Sequence, residues 1–204
     1  MNPQHHASDD LLVAYTAGAL EPGFGLVVGA HVEFCVSCRH KVRGFEALSG
    51  AALEEASEAD IASDALSRVM ARLDEPPAAV QSDSRSLLER LPLKPKKWVA
   101  PGAWVAAVDT PHAPQDRVYL LRLGAGTPAA RHRHSGAEFC TVLTGAYRDE
   151  LGLFAAGDFA QADGDLNHQP KVEPGGECIC LFATEGRLKP NDFIGRIAFA
   201  LADV

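Results

Sequence analysis

Apolar residues follow two different rhythms along this chain. Over the first third they recur every three or four positions, the spacing of one helix face. Ser8, followed by Asp9 and Asp10, reads as an N-cap with acids in the first turn. A helix is expected over Leu11–Leu20, ending near Glu21-Pro22-Gly23. A second is expected over about Phe24–Cys38 and a third over about Arg39–Glu55. A fourth begins near Ser57 or Ser63 and carries Ala65, Leu66, Val69, Met70 and Leu73 at helical spacing. A polar, Pro-rich stretch follows, from Asp74-Glu75-Pro76-Pro77 to Gln81-Ser82-Asp83-Ser84, and reads as a linker. Beyond residue 87 the rhythm shortens. Runs such as Trp104–Val108, Val118–Leu123, Glu138–Leu143, Asp158–Ala162 and Cys178–Phe182 are separated by Gly, Pro and Asp. Short strands at this spacing predict an antiparallel sandwich or barrel. The expected class is therefore α+β: a small helical bundle over residues 1–73, a linker over 74–86, and a β domain over 87–204.

Charge sharpens this division. The chain of 204 residues carries a net charge of −8. Of that, −5 falls on residues 1–73, −2 on 74–86 and −1 on 87–204. An acidic chain does not suit general nucleic-acid binding, which needs excess Lys and Arg to neutralise phosphate. Apolar runs fall short of the ~18–20 residues that span a bilayer. The opening residues lack the basic and apolar regions of a secretory signal, so a cytoplasmic location is expected. In that compartment five Cys suggest metal ligands or reduced thiols rather than a disulfide framework.

The first candidate chemistry lies in the acidic third. His31, Cys35 and Cys38 form an H-x3-C-x2-C pattern. On one helix these offsets would place all three side chains on one face. Thiolate and imidazole together suit tetrahedral Zn²⁺, which would also staple a small helical core. The fourth ligand must come from elsewhere: His6 is the best candidate, with His5 its alternative. The competing reading is that the two Cys are small core hydrophobes. The segment resembles the zinc-binding anti-sigma family, whose signature is this pattern with an upstream His. That resemblance implies a helical domain that wraps an extracytoplasmic-function type sigma factor and keeps it from RNA polymerase. An acidic domain suits a partner that uses basic surfaces for DNA.

The second constellation lies in the β region. Gly126, His132, His134, Glu138 and Gly145 follow the spacing G-x5-H-x-H-x3-E-x6-G. In a strand His132 and His134 share a face, and Glu138, Cys140 and Val142 share one in the next. The pattern resembles the first cupin motif, which implies a metal site inside a jelly-roll barrel. Gly157-Asp158 would open the second motif and His168 would complete the ligand set, although Asp163, Asp165 and Val172 depart from that motif's usual residues. Such a set suits Zn, Mn, Fe and other divalent ions alike.

Other residues carry less. Cys178 and Cys180 share one side of a strand, where packing explains them better than redox chemistry. Arg131 and Arg133 alternate with the ligands and should face away from the barrel interior. His40 and His112 read as ordinary surface residues. Met70 and Leu73 belong to an apolar helix face that suits either a core or a partner helix. Taken together, the zinc motif, the cupin motif, the His5-His6-Ala7-Ser8-Asp9 start, Arg148-Asp149-Glu150 and Cys178-Ile179-Cys180 resemble the ChrR-type anti-sigma factors. This implies a non-enzymatic regulator in which the helical domain grips the sigma factor. The cupin is then needed for the response to singlet oxygen or a related oxidant. Two alternatives remain: a dioxygenase-like cupin enzyme, and a thiol-redox anti-sigma factor in which oxidation of Cys35 or Cys38 expels zinc. Strand edges in the barrel leave pairing of two copies open.

Overall fold

The computed structural model describes residues 3–73, 75, 87–110, 117–164, 166–186 and 189–191. The expected linker, Glu75 aside, lies outside the described residues, as do His112 and Asp165. The helices are α1 (Asp9–Thr16), α2 (Pro22–Phe34), α3 (Val36–Glu54), α4 (Ala65–Leu73) and α5 (Leu87–Arg90). The strands are β1 (Lys97–Ala100), β2 (Ala103–Ala107), β3 (Arg117–Leu123), β4 (His132–Arg133), β5 (Glu138–Thr144) and β6 (Ala146–Asp149). Then come β7 (Gly152–Ala155), β8 (Phe159–Ala162), β9 (Asn167–His168), β10 (Lys171–Val172), β11 (Cys178–Thr184) and β12 (Lys189–Pro190). The α+β class expected from the pattern is the one observed.

Ser8 caps α1, its hydroxyl accepting from Leu11 N–H at 3.3 Å. The helix stops at Thr16, four residues before the expected end, where the Ala17 and Gly18 N–H groups turn back to Val13 and Tyr15. The second and third expected helices are both present, but they join at Cys35 rather than after Cys38: the extended backbone of Cys35 (φ −97°, ψ 106°) ends α2 and starts α3.

The β region forms a six-stranded antiparallel sheet, in the order β1-β2-β3-β11-β5-β8, and two three-stranded sheets, β10-β6-β7 and β12-β4-β9. The five runs read from the sequence fall on β2, β3, β5, β8 and β11. The large sheet is buried on both faces. One face carries Val118, Leu120, Phe139, Leu143, Ile179 and Leu181, which join Phe24, Val27 and Val28 of α2 in one core. The other carries Cys140, Val142, Cys178 and Cys180, which pack with Tyr147, Phe154 and Val172 inside the barrel. Strand β5 shows the consequence: six consecutive residues, Glu138 to Leu143, are buried. Full burial of both faces turns the expected alternation into a continuous buried run.

The helices thus sit directly on the sheet. Phe24 meets Phe139 edge-to-face at 4.6 Å. Thr141, fully buried, donates its hydroxyl to the Val27 carbonyl at 2.8 Å. Arg90 of α5 donates from Nη2 to both Glu33 carboxylate oxygens, at 2.7 and 2.8 Å. Helix α4 is the exception, since it buries none of its residues.

Candidate metal centres

The break at Cys35 builds the first centre. His31 lies in the last turn of α2, Cys35 in the joint, and Cys38 in the first turn of α3. The three do not share a single helix face, as the spacing had suggested; the turn of the chain brings them together instead. The Cys35 thiol also caps α3, accepting from Cys38 N–H at 3.4 Å. His31 Nε2 lies 3.2 Å from Cys38 Sγ. His6 Nδ1 arrives from the N-terminal segment, 3.2 Å from Cys35 Sγ and 3.6 Å from Cys38 Sγ. All four ligand atoms lie within 4.8 Å of one another. His5 turns the other way, its ring 4.2 Å from that of Phe154.

These spacings fit a metal ion. A tetrahedron with metal–nitrogen bonds of about 2.1 Å and metal–sulfur bonds of about 2.3 Å has nitrogen–sulfur edges of about 3.6 Å. Burial lowers the pKa of His31, favouring the neutral imidazole that can coordinate. Burial and the neighbouring Cys35 push the Cys38 thiol up to about 12. A Cys38 thiol held protonated in this way needs a cation to become the thiolate that metals prefer.

The second centre is set by strand register. β4 and β9 pair with His132 opposite His168, and their Nε2 atoms lie 3.2 Å apart. His134, just after β4, brings its Nε2 to 3.1 Å from that of His168. Glu138, the first residue of β5, puts Oε2 3.5 Å from His134 Nδ1. All four side chains are buried. Three converging imidazole nitrogens match the edge of about 3.4 Å expected around a tetrahedral ion with three imidazole ligands. Two outer contacts fix ring orientation. The Ala130 carbonyl lies 2.8 Å from His132 Nδ1, and the Asp149 carboxylate 2.8 Å from His168 Nδ1. Each accepts a hydrogen bond from Nδ1–H and leaves Nε2 for an ion. Burial lowers the His132 pKa to about 4, against the pull of the Glu138 charge. This imidazole therefore stays neutral at any physiological pH.

In the sequence Asp149 stands out only as part of the triplet Arg148-Asp149-Glu150. Its place as the last residue of β6 gives no sign that its carboxylate meets His168, which arrives from β9. Arg131 pairs with Glu150 at 2.7 Å and Arg133 is exposed, so both leave the barrel interior. His40 is exposed. The second centre opens on a cavity of about 170 Å³ whose walls include Val105, Tyr119, Leu121, Tyr147 and Phe182. Cys140, Cys178 and Cys180 line the same space, with the Cys178 and Cys180 sulfurs 3.6 Å apart. Burial raises the Cys140 pKa, and contact with Cys180 followed by burial raises that of Cys178. Both are thereby held as weakly nucleophilic thiols.

Known proteins match along most of the chain. Residues 94–188 match the family model described as the ChrR cupin-like domain. Over 206 aligned residues the chain is 36% identical to the anti-sigma-E factor ChrR of Cereibacter sphaeroides, covering 97% of each protein. The chain belongs to the ChrR family of anti-sigma factors. The structure agrees: the crystal structure of Rhodobacter sphaeroides SigE in complex with the anti-sigma ChrR superposes with a TM-score of 0.79. That match has 35% identity and covers 90% of this chain and 100% of the other. ChrR is a regulator rather than an enzyme, so the dioxygenase-like alternative gains no support from the family. Among the described residues no helix is long and apolar enough to cross a membrane.

Proposed function

We propose that this protein is an anti-sigma factor that binds an extracytoplasmic-function type sigma factor in the cytoplasm through its helical domain, residues 1–73. His6, His31, Cys35 and Cys38 hold Zn²⁺ and keep α2, α3 and the N-terminal segment together. The linker over 74–86 joins this domain to the cupin, residues 87–204. There His132, His134, Glu138 and His168 hold a divalent metal. An ion at that position supplies a Lewis-acidic, redox-tunable centre beside an apolar cavity. The cupin centre mediates the response to singlet oxygen or a related oxidant, after which the sigma factor is released.

The observation that carries this reading is α4. Leu66, Val69, Met70 and Leu73 lie at i, i+3, i+4 and i+7, one stripe of a helix. All four are between 55% and 71% exposed. A stripe of this kind is costly to leave in water and suits a groove on a partner protein. The solved relative, ChrR, was crystallised in complex with SigE, which supports a sigma factor as that partner.

The test is co-expression of the full chain with an extracytoplasmic-function type sigma factor from the same genome, read by co-purification. Wild-type protein retains the sigma factor. The double variant Leu66→Asp, Met70→Asp loses it while metal content stays unchanged. Retention by the double variant, or no capture by wild-type protein, overturns the reading. Replacing His132, His134 and Glu138 tests the response: the sigma factor then stays bound under singlet oxygen. Unchanged release would remove the cupin metal from the mechanism.

A further inference from the structure

The helical metal centre is built by the helices and finished by the barrel. Four contacts reach it from the turn between β7 and β8, residues 155–159. His31 Nδ1 donates to the Gly157 carbonyl at 2.7 Å. This bond fixes the tautomer and leaves Nε2 facing the two Cys. The buried Asp158 grips the segment that carries His6: its Oδ1 accepts from Gln4 N–H at 2.6 Å and His5 N–H at 2.9 Å. Its Oδ2 accepts from Ala155 N–H at 2.8 Å, which anchors the carboxylate to the barrel. The Phe159 N–H donates to the His5 carbonyl at 3.1 Å. Finally, Pro3 and Phe34 close over Gly157 (φ +92°), where an added Cβ would come within 2.9 and 3.0 Å of them. Two of the four ligands, His6 and His31, are therefore held in place by barrel residues.

We propose that the β7–β8 turn is the outer shell of the helical zinc centre, with Asp158 as its positioning residue. Docking of the cupin raises the zinc affinity of the helical domain, and zinc in that domain holds the cupin docked. The two directions share one coupling free energy, as linkage requires. This inference rests on the reading of His6, His31, Cys35 and Cys38 as a zinc site. It goes beyond that reading by assigning part of the site to the other domain. A free anti-sigma domain would hold zinc less tightly than the same domain in the full chain.

Co²⁺ separates the two centres, because only the helical one has sulfur ligands and gives a thiolate charge-transfer band. Full-length protein is titrated with Co²⁺ and then displaced with Zn²⁺. Loss of an outer-shell partner costs roughly 10–100-fold in metal affinity. Asp158→Ala should weaken Co²⁺ and Zn²⁺ binding at the sulfur-containing centre by that factor, and Asp158→Asn, which keeps one acceptor oxygen, by less. The sulfur-free centre keeps its affinity. Absence of the band in wild-type protein would refute the zinc site itself. A normal band with affinity unchanged within twofold in both variants would refute the outer-shell role alone. A second measurement needs no change at Asp158: hydrogen exchange at the Gln4, His5 and Phe159 amides, compared between the zinc-loaded wild type and Cys38→Ser. Exchange should quicken at least about tenfold in Cys38→Ser, the reciprocal of the affinity loss. Equal protection would overturn the coupling.

Discussion

His132 gives the structure a measurable acid sensitivity once metal is removed. Its imidazole is buried, and burial lowers its pKa from 6.5 to about 4. The unfolded chain therefore binds a proton more readily than the folded one over that range. Stability from this residue is complete above the unfolded value and is lost as pH falls toward the folded one. A difference of about 2.5 units corresponds to about 3 kcal/mol at the acid end. Between pH 7 and pH 5 the loss is about 2 kcal/mol, because at pH 5 the unfolded imidazole is already charged and the folded one is not. The assay is urea unfolding of metal-stripped protein at the two pH values, for wild type and His132→Gln. The variant lowers stability at both, but its drop between pH 7 and pH 5 should be smaller than that of the wild type by about 2 kcal/mol. Equal drops in the two proteins would show that burial does not hold His132 neutral, and the account of the cupin centre's electrostatics would fail.

Three further outcomes are expected. Asp149→Ala removes the carboxylate 2.8 Å from His168 Nδ1 and should weaken the cupin centre's metal affinity by roughly 10–100-fold in chelator competition, with the helical centre unaffected. Zinc affinity at the helical centre should fall by at least about tenfold per unit of pH between 8 and 6, because binding must displace the proton of a thiol pushed up to about 12; a flat profile would mean Cys38 is not a ligand. Thr141→Val keeps the buried volume but removes the hydroxyl that donates to Val27 at 2.8 Å, and should cost about 1 kcal/mol in chemical unfolding, since the Val27 carbonyl keeps its place in the helix.

The motif residues were legible because their chemistry is rare. Cys and His at H-x3-C-x2-C, and two His and a Glu at cupin spacing, have few other reasons to recur in that order. The structure gathers all eight into two groups. What the spacing did not show was how the first group closes. Offsets of four and seven suit one continuous helix equally well, and only the backbone at Cys35 distinguishes that helix from two. The longer strands were readable because β3, β5 and β11 are rich in apolar residues. The two-residue strands β4, β9, β10 and β12 were not, since a pair of residues has no period. The same shortness hid Asp149, whose partner is supplied by β9. The docking of α2 on β5 was invisible for another reason. Thr141 and Phe139 read as ordinary strand residues, and no local pattern says which helix will cover them.

That docking bears on how the two centres could communicate. β5 carries Glu138 on its inner face and, three residues further on, Thr141 on its outer face. Thr141 bonds the backbone of α2, and α2 ends in the turn that carries His31. His31 in turn bonds Gly157, at the start of β8's approach to β5, and β8 pairs with β5 along Glu138 to Thr141. The ligands of one centre and the outer shell of the other therefore share two paired strands. Close-packed interiors transmit displacement rather than absorb it, so a rearrangement at Glu138 that shifts β5 must be met by α2 or by the β7–β8 turn. A rearrangement at Glu138 therefore has this packed route to the N-terminal helices. Under the proposed coupling, such a rearrangement would change how firmly α2 and the N-terminal segment are held on the barrel, and metal affinity at the helical centre is the quantity expected to report it.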